Sequence, residues 1–91
     1  MRTEHLEVRA IASPLLHPRV GLVVPKHRQS AVLRNQLKRR LREIVRTRLL
    51  RRLPSIDVVV RAKPGAYVAP YAVLEAELLG LEHSLGRIAT P

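Results

Sequence analysis

One segment near the middle of the chain constrains the fold most, because its cations and its aliphatic side chains both recur at helical spacing. It runs from Ser30 to Arg46, and at about 100° per residue it has two adjoining faces. The apolar stripe, about 120° wide, consists of Leu33, Leu37, Leu41, Ile44 and Val45. The polar face carries Arg34, Asn35, Lys38, Arg39, Arg42 and Arg46. The pattern predicts one long helix, capped by Ser30 and ended after Arg52 by Leu53-Pro54.

The charge balance of this helix indicates an external partner. Between Ser30 and Arg52 a single acid, Glu43, stands against nine cations. A solvated helix face is usually stabilised by opposite charges four residues apart, and this helix lacks the acids for such pairs. Like charges repel unless an external anion neutralises them, and the whole chain carries a formal charge of +10. These observations favour a nucleic-acid partner over an ordinary solvated face.

Composition excludes several other classes of protein. The chain has 91 residues, which predicts one domain, 1–91. No apolar run approaches the ~20 residues of a membrane span and no signal pattern opens the chain, so we expect a cytoplasmic protein without a membrane partner. There is no cysteine, the four histidines are isolated, and the acids form no tight motif. We therefore expect no catalytic residue, metal site, cofactor or small-molecule ligand in the protein itself.

Strands are predicted on both sides of the basic helix. His5–Ala12 alternates as a half-buried strand does, and Arg19–Val24 is a short apolar run typical of a strand buried on both faces. Ser55–Ala62 is rich in β-branched residues. A strand, a helix and a strand in this order indicate a βαβ crossover with parallel pairing. Pro70 can begin a final helix, whose outer face carries acidic side chains: Glu75, Glu77 and Glu82.

Three segments, in this order and at this spacing, resemble the protein component of bacterial ribonuclease P. They are Val20–His27, Ala31–Glu43 and Ile56–Ala66. Together they are specific, because a generic basic helix need not be followed by an Asp-Val-Val-Val strand and a Lys-Pro-Gly turn. The resemblance implies an α/β fold, an α+β sandwich with a mixed sheet of about four strands and a C-terminal helix. It also implies a left-handed crossover, whereas general rules favour a right-handed one.

The same resemblance implies a function and a division of labour. The basic helix would dock on the catalytic RNA of ribonuclease P, and a cleft against the sheet would receive the 5′ leader of precursor tRNA. The active site, with Mg²⁺, would lie in the RNA, so the protein would be the non-catalytic subunit of this endoribonuclease. The expected RNA contacts are Arg34, Asn35, Lys38, Arg39 and Arg42, with weaker candidates Lys26, His27, Arg28 and Arg46. Arg9 and Arg61 are candidates for the leader cleft.

The sequence departs from the family pattern in its signature. The family's Arg-Asn-Arg signature stands here as Arg34-Asn35-Gln36, so an amide replaces one cation. Gln29 stands where a glycine usually precedes the helix, and His27 stands where a lysine is frequent.

A second departure concerns aromatic residues. The family normally begins with a further helix and an aromatic segment, whereas Met1 lies immediately before the first predicted strand. The chain has no Phe and no Trp, and Tyr67 and Tyr71 are expected to pack instead of stacking on bases. We therefore expect weak leader recognition by aromatic stacking. The main alternative function is a basic ribosomal or DNA-associated protein with no role in tRNA processing.

Overall fold

The computed structural model describes residues 1–88, in which three strands form one mixed sheet. The strands are β1 (Leu6–Ala12), β2 (Arg19–Val23) and β3 (Ile56–Ala62), and their order in the sheet is β1-β3-β2. β1 runs antiparallel to β3, and β2 runs parallel to it. The predicted crossover with parallel pairing is therefore confirmed. Its left-handed sense stays a prediction.

The crossover consists of one continuous helical segment whose hydrogen-bonding pattern changes along its length. It comprises α1 (Ala31–Ile44), a π turn (Val45–Leu49) and a 3₁₀ turn (Leu50–Arg52). Ser30 caps α1 as predicted, because its hydroxyl accepts a 3.2 Å hydrogen bond from the backbone N–H of Leu33. After β3 come a second 3₁₀ turn (Pro64–Val68), α2 (Tyr71–Gly80) and α3 (Glu82–Gly86).

The prediction of about four strands is wrong by one strand for the described residues. Residues 1–3 lie along the outer edge of β1, where Met1 and Val8 exchange two hydrogen bonds of 2.8 Å. Arg2 adds an isolated antiparallel bridge to Glu7. Pairing that involves so few residues gives a bridge instead of a fourth strand.

The helices cover one face of the sheet and leave the other face open. In β3, Ile56, Val58 and Val60 are buried beneath the helices, whereas Val59 and Arg61 are exposed on the opposite face. The prediction that β2 is buried on both faces is wrong. Its residues are exposed or half-buried, because β2 lies at the edge of the sheet and no described element covers the second face.

The core lies between the covered face of the sheet and the helices. Leu37, Leu41 and Ile44 of α1 contribute to it, as the apolar stripe predicted. Leu33 was expected in the same stripe, but it lies in the first turn of α1 with 43% of its surface exposed. No helix among residues 1–88 is long and apolar enough to span a membrane.

The π turn changes which side chains enter the core. In a regular α-helix Leu49 would lie about 60° from Arg34, among the cations. The hydrogen bonds of a π turn join residues five apart, so each residue advances the helix through a smaller angle. Leu49 is thereby rotated back onto the apolar stripe, where it is 0% exposed.

Candidate RNA interface

Three cations of α1 lie in a row along one side of the helix. Arg39 and Arg42 are exposed, and Lys38 is half-buried beside them. Within residues 1–88, no carboxylate lies within ion-pair distance of these three side chains. Asn35 is also exposed on this side of the helix. Because these cations have no acidic partner among the described residues, a phosphate can approach them without breaking an ion pair.

Arg34 begins this row and also holds the helix against the sheet. Its Nε donates a 2.7 Å hydrogen bond to the backbone carbonyl of Val24, the residue that follows β2. The side chain is half-buried as a result. Arg34 therefore fixes the start of α1 relative to the end of β2, and it presents a positive charge at the same place.

The loop between β2 and α1 contains two residues in the left-handed region. His27 has a φ of 47° and Arg28 a φ of 66°, and the backbone N–H of Gln29 donates to the carbonyl of Lys26 at 2.8 Å. Positive φ at both central residues of a β-turn is characteristic of type I′, which usually requires Asn or Gly. The turn leaves Lys26 and Arg28 exposed beside the N-terminus of α1.

Two side-chain contacts support this turn. The Nε2 of His27 lies 3.2 Å from the carbonyl oxygen of Ala62, so it must carry the proton and donate. The Tyr67 ring packs edge-on against His27, with ring centroids 6.3 Å apart, and its hydroxyl donates to the carbonyl of Pro25 at 2.6 Å. Tyr67 is thus a packing residue, as expected, while RNA contact by His27 stays a prediction.

The second part of the helical segment is electrostatically different, because acids among residues 1–88 pair with three of its four cations, all except Arg51. Arg46 pairs with Glu43 at 2.9 Å. Two further pairs cross to the C-terminal helices, Arg48 to Glu75 at 3.9 Å and Arg52 to Glu82 at 3.3 Å. The acids of the final helical region therefore compensate the end of the basic segment, which distinguishes that end from the first part.

Glu77 does not lie on an exposed acidic face, so this part of the prediction is wrong. Its carboxylate accepts hydrogen bonds from the Thr3 hydroxyl and the His5 ring, and from the His5 backbone N–H at 2.9 Å. Burial acts to raise the pKa of Glu77, but these hydrogen bonds outweigh burial, and the net pKa is lowered. The partners lie 72 and 74 residues away in sequence, so no local pattern could indicate the contact.

The open face of the sheet carries a shallow cleft of about 250 Å³. Arg9 and Arg61, the two residues expected at the leader cleft, both line it. Glu7 is paired with Arg61 in the β1–β3 register, and Val23 and Val59 provide the apolar part of the lining. The fold therefore brings together two cations that lie 52 residues apart in sequence, over an apolar surface.

Comparisons with known proteins agree with this architecture. Residues 1–86 match the family model described as Ribonuclease P. A ribonuclease P protein component from Syntrophobacter fumaroxidans is 43% identical over 90 residues, which cover 97% of this chain and 76% of the relative. The chain belongs to the ribonuclease P protein family. A second member, from Beutenbergia cavernae, is 48% identical over 69 residues, but the match spans only 58% of that protein.

A solved structure of this family has the same fold. The ribonuclease P protein of Thermotoga maritima, in complex with 1-(4-fluorophenyl)-2-thiourea, aligns with a TM-score of 0.80 and 30% identity. The alignment covers 97% of this chain and 83% of that protein. These similarities support a role in ribonuclease P, and they do not favour the ribosomal or DNA-associated alternative.

Proposed function

We propose that this ribonuclease P family member is the RNA-binding subunit that assists a catalytic RNA in removing the 5′ leader from precursor tRNA. The observation that carries the proposal is the row of cations along α1 that have no acidic partner among residues 1–88: Arg34, Lys38, Arg39 and Arg42. A row of cations on one rigid helix can neutralise several phosphates at once, because binding releases the counterions condensed on the RNA. Lys26 and Arg28 extend the positive surface at the N-terminus of α1.

The carboxylates support placing the active site in the RNA. Five of the seven acids pair with an arginine, including Asp57, which accepts hydrogen bonds of 2.9 and 2.7 Å from Arg19. Those hydrogen bonds lower the pKa of Asp57. The other two acids, Glu4 and Glu77, lie beside the His5 ring. Carboxylates held in such pairs are poorly suited to proton transfer or metal binding. In the proposed division of labour, the RNA holds Mg²⁺ for hydrolysis, and the protein reduces phosphate repulsion.

The cleft on the open face is the proposed site for the leader. Arg9 and Arg61 would contact its phosphates, while Val23 and Val59 would contact its bases. No aromatic ring lines the cleft among the described residues. Stacking on aromatic rings contributes about 1–3 kcal/mol per base in single-strand binders, so we expect only modest discrimination between precursor and mature tRNA. Replacing Arg9 and Arg61 by Ala should bring the affinities of the reconstituted enzyme for these two substrates closer together.

A reconstitution experiment tests the proposal. The purified full chain should not cleave precursor tRNA alone, but it should lower the Mg²⁺ concentration that a bacterial ribonuclease P RNA needs for half-maximal cleavage, because its cations reduce phosphate repulsion. RNA-free cleavage at the mature 5′ end, lost on mutation of a carboxylate, would show that the active site lies in the protein. Sequencing of RNA bound to the protein in cells would recover ribosomal RNA if the alternative function were correct.

A further inference from the structure

A second groove lies on the helical side of the sheet, beside α1, and it differs from the leader cleft in position and lining. It has a volume of about 410 Å³, which is within the range of small-ligand sites. Its floor is apolar and combines β2 with the end of the helical segment: Val20, Leu22, Val45 and Leu50. Lys38, Arg42 and Arg46 form its rim. A wall of aliphatic side chains below a row of cations is suited to a ligand with an apolar body and negative charges.

Two irregular features of the fold create this groove. β2 is an edge strand, so the described residues leave its outer backbone edge unpaired and its side chains Val20 and Leu22 only half-buried. The π turn supplies the other wall. In a regular α-helix Leu50 would lie about 120° from Lys38, but the smaller rotation per residue within the π turn brings it toward the cations. Leu50 is accordingly half-buried at the groove.

The charges favour a nucleic-acid ligand for this groove. Lys38 and Arg42 have no acidic partner among residues 1–88, whereas Arg46 pairs with Glu43. Residues four apart on a helix are displaced by about 6 Å along its axis, similar to the separation of successive phosphates in an extended strand. A nucleobase has two apolar faces and a polar edge, and the free backbone edge of β2 can hydrogen-bond to such an edge.

We propose that this groove binds an unstacked nucleobase from a single-stranded stretch of RNA, with the flanking phosphates on Lys38 and Arg42. This inference deepens the proposed function and rests on it, because the RNA is taken to be one that the basic helix contacts. The base would lie on Leu22 and Leu50. The groove would therefore recognise an unpaired nucleotide, whereas the cations of α1 by themselves recognise only the charge of the phosphates.

The test uses the full chain and two fluorescent eight-nucleotide probes, oligoadenylate and an abasic strand of the same length. If the groove binds a base, the protein should bind oligoadenylate about tenfold more tightly at equal salt. Amide resonances of Val20–Leu22 and Leu50 should shift with oligoadenylate and not with the abasic strand. Leu50→Glu, which places a negative charge in the groove, should remove the preference while the far-ultraviolet spectrum stays unchanged.

A matched pair of helix variants separates the groove from general charge effects. Arg42→Ala and Arg40→Ala each remove one exposed cation from α1, but only Arg42 lines the groove. Arg42→Ala should weaken binding of oligoadenylate more than binding of the abasic strand, because a base seated in the groove holds the flanking phosphate at Arg42. Arg40→Ala should weaken binding of both probes equally. Equal binding of both probes by the wild-type protein would overturn the proposal. It would also be overturned if the amide resonances of β2 shifted with an acidic peptide but not with oligoadenylate. Either result would leave the proposed function intact if the protein still lowered the Mg²⁺ requirement of the catalytic RNA.

Discussion

The two parts of the basic helical segment share a composition but differ in what surrounds their cations. In α1, Lys38, Arg39 and Arg42 have no carboxylate within ion-pair distance among the described residues. Beyond α1, Arg48 and Arg52 pair with acids of the C-terminal helices. The packing of α2 and α3 against one end of the segment therefore gives Arg48 and Arg52 acidic partners, which the α1 cations and Arg51 lack among the described residues.

This difference shows how tertiary structure assigns roles to identical residue types. Exposed ion pairs contribute little to stability, about 0–1 kcal/mol each, so the acids near Arg48 and Arg52 hardly strengthen the fold. They do lower the local positive potential, which makes that end less attractive to phosphate. We infer that RNA contacts concentrate at α1 and the preceding loop, and that the compensated end mainly connects the helix to β3.

The first and largest predicted effect tests whether the two parts are equally important for packing. Leu41 in α1 and Leu49 in the π turn are both fully buried. Replacing either by Ala should lower the free energy of unfolding by about 2–5 kcal/mol, since each change removes buried methyl groups and leaves a cavity. Urea denaturation measures the loss. Leu33→Ala, at the exposed start of α1, is the control and should cost much less; an equally small cost for Leu49→Ala would contradict its place in the core.

The second prediction tests the difference in charge between the two parts. The logarithm of the affinity for ribonuclease P RNA should fall linearly with the logarithm of the salt concentration. Replacing Arg39 and Arg42 together by Ala should make the slope of that line shallower by about two. The matched double variant, Arg48→Ala with Arg52→Ala, should reduce it by less than about one unit, because those cations already have acidic partners. Binding measured between 50 and 200 mM salt would show the difference. Equal slopes for the two double variants would show that the cations of α1 and those beyond it contribute equally to RNA binding.

Much of this arrangement could be predicted from the sequence, because it depends on local patterns. The spacing of cations and leucines predicted α1 and its Ser30 cap, and β-branched alternation predicted β3 to within one residue. The exposed face of the helix followed from the same spacing. The sequence therefore predicts that the candidate RNA contacts on α1 share one surface of the helix.

The remainder depends on contacts between distant segments, which periodicity does not report. The apolar run at β2 is the same whether the strand lies at the centre of the sheet or at its edge, so its exposure was predicted wrongly. The π turn begins at Val45 without a glycine or proline to mark it. The partners of Glu77 come from the opposite end of the chain. Each of these features becomes visible only when the sheet and helices pack together.

The third prediction compares two acids on α2 that lie two residues apart. Glu75 makes a long pair of 3.9 Å with Arg48, whereas Glu77 accepts several hydrogen bonds from Thr3 and His5. Because the pKa of Glu77 is lowered in the folded protein, its contribution to stability is present above the ordinary glutamate value of 4.5 and is lost as the pH falls through the folded value.

Unfolding by urea across the range from pH 6 to pH 3 would test this comparison. Glu77→Gln should lower stability at pH 6 and flatten its decline with acid, because the variant has no carboxylate to protonate. Glu75→Gln should leave the profile close to that of the wild type, as expected for a long, partly exposed ion pair. If both variants lost the same free energy of unfolding at each pH, the contacts of Glu77 would contribute no more to stability than a surface ion pair.

The smallest predicted effect concerns the start of the uncompensated part. Ser30 satisfies one of the backbone N–H groups that the first turn of α1 leaves unpaired, and no acidic residue lies in that turn. Ser30→Ala should therefore reduce the free energy of unfolding by about 1 kcal/mol, and Ser30→Asp should retain the cap and add a favourable charge at the helix N-terminus. The same aspartate would repel phosphate near Arg34 and Lys26. Opposite effects of Ser30→Asp on unfolding and on affinity for ribonuclease P RNA would show that this end of the helix faces the RNA, whereas unchanged affinity would place the contact further along α1.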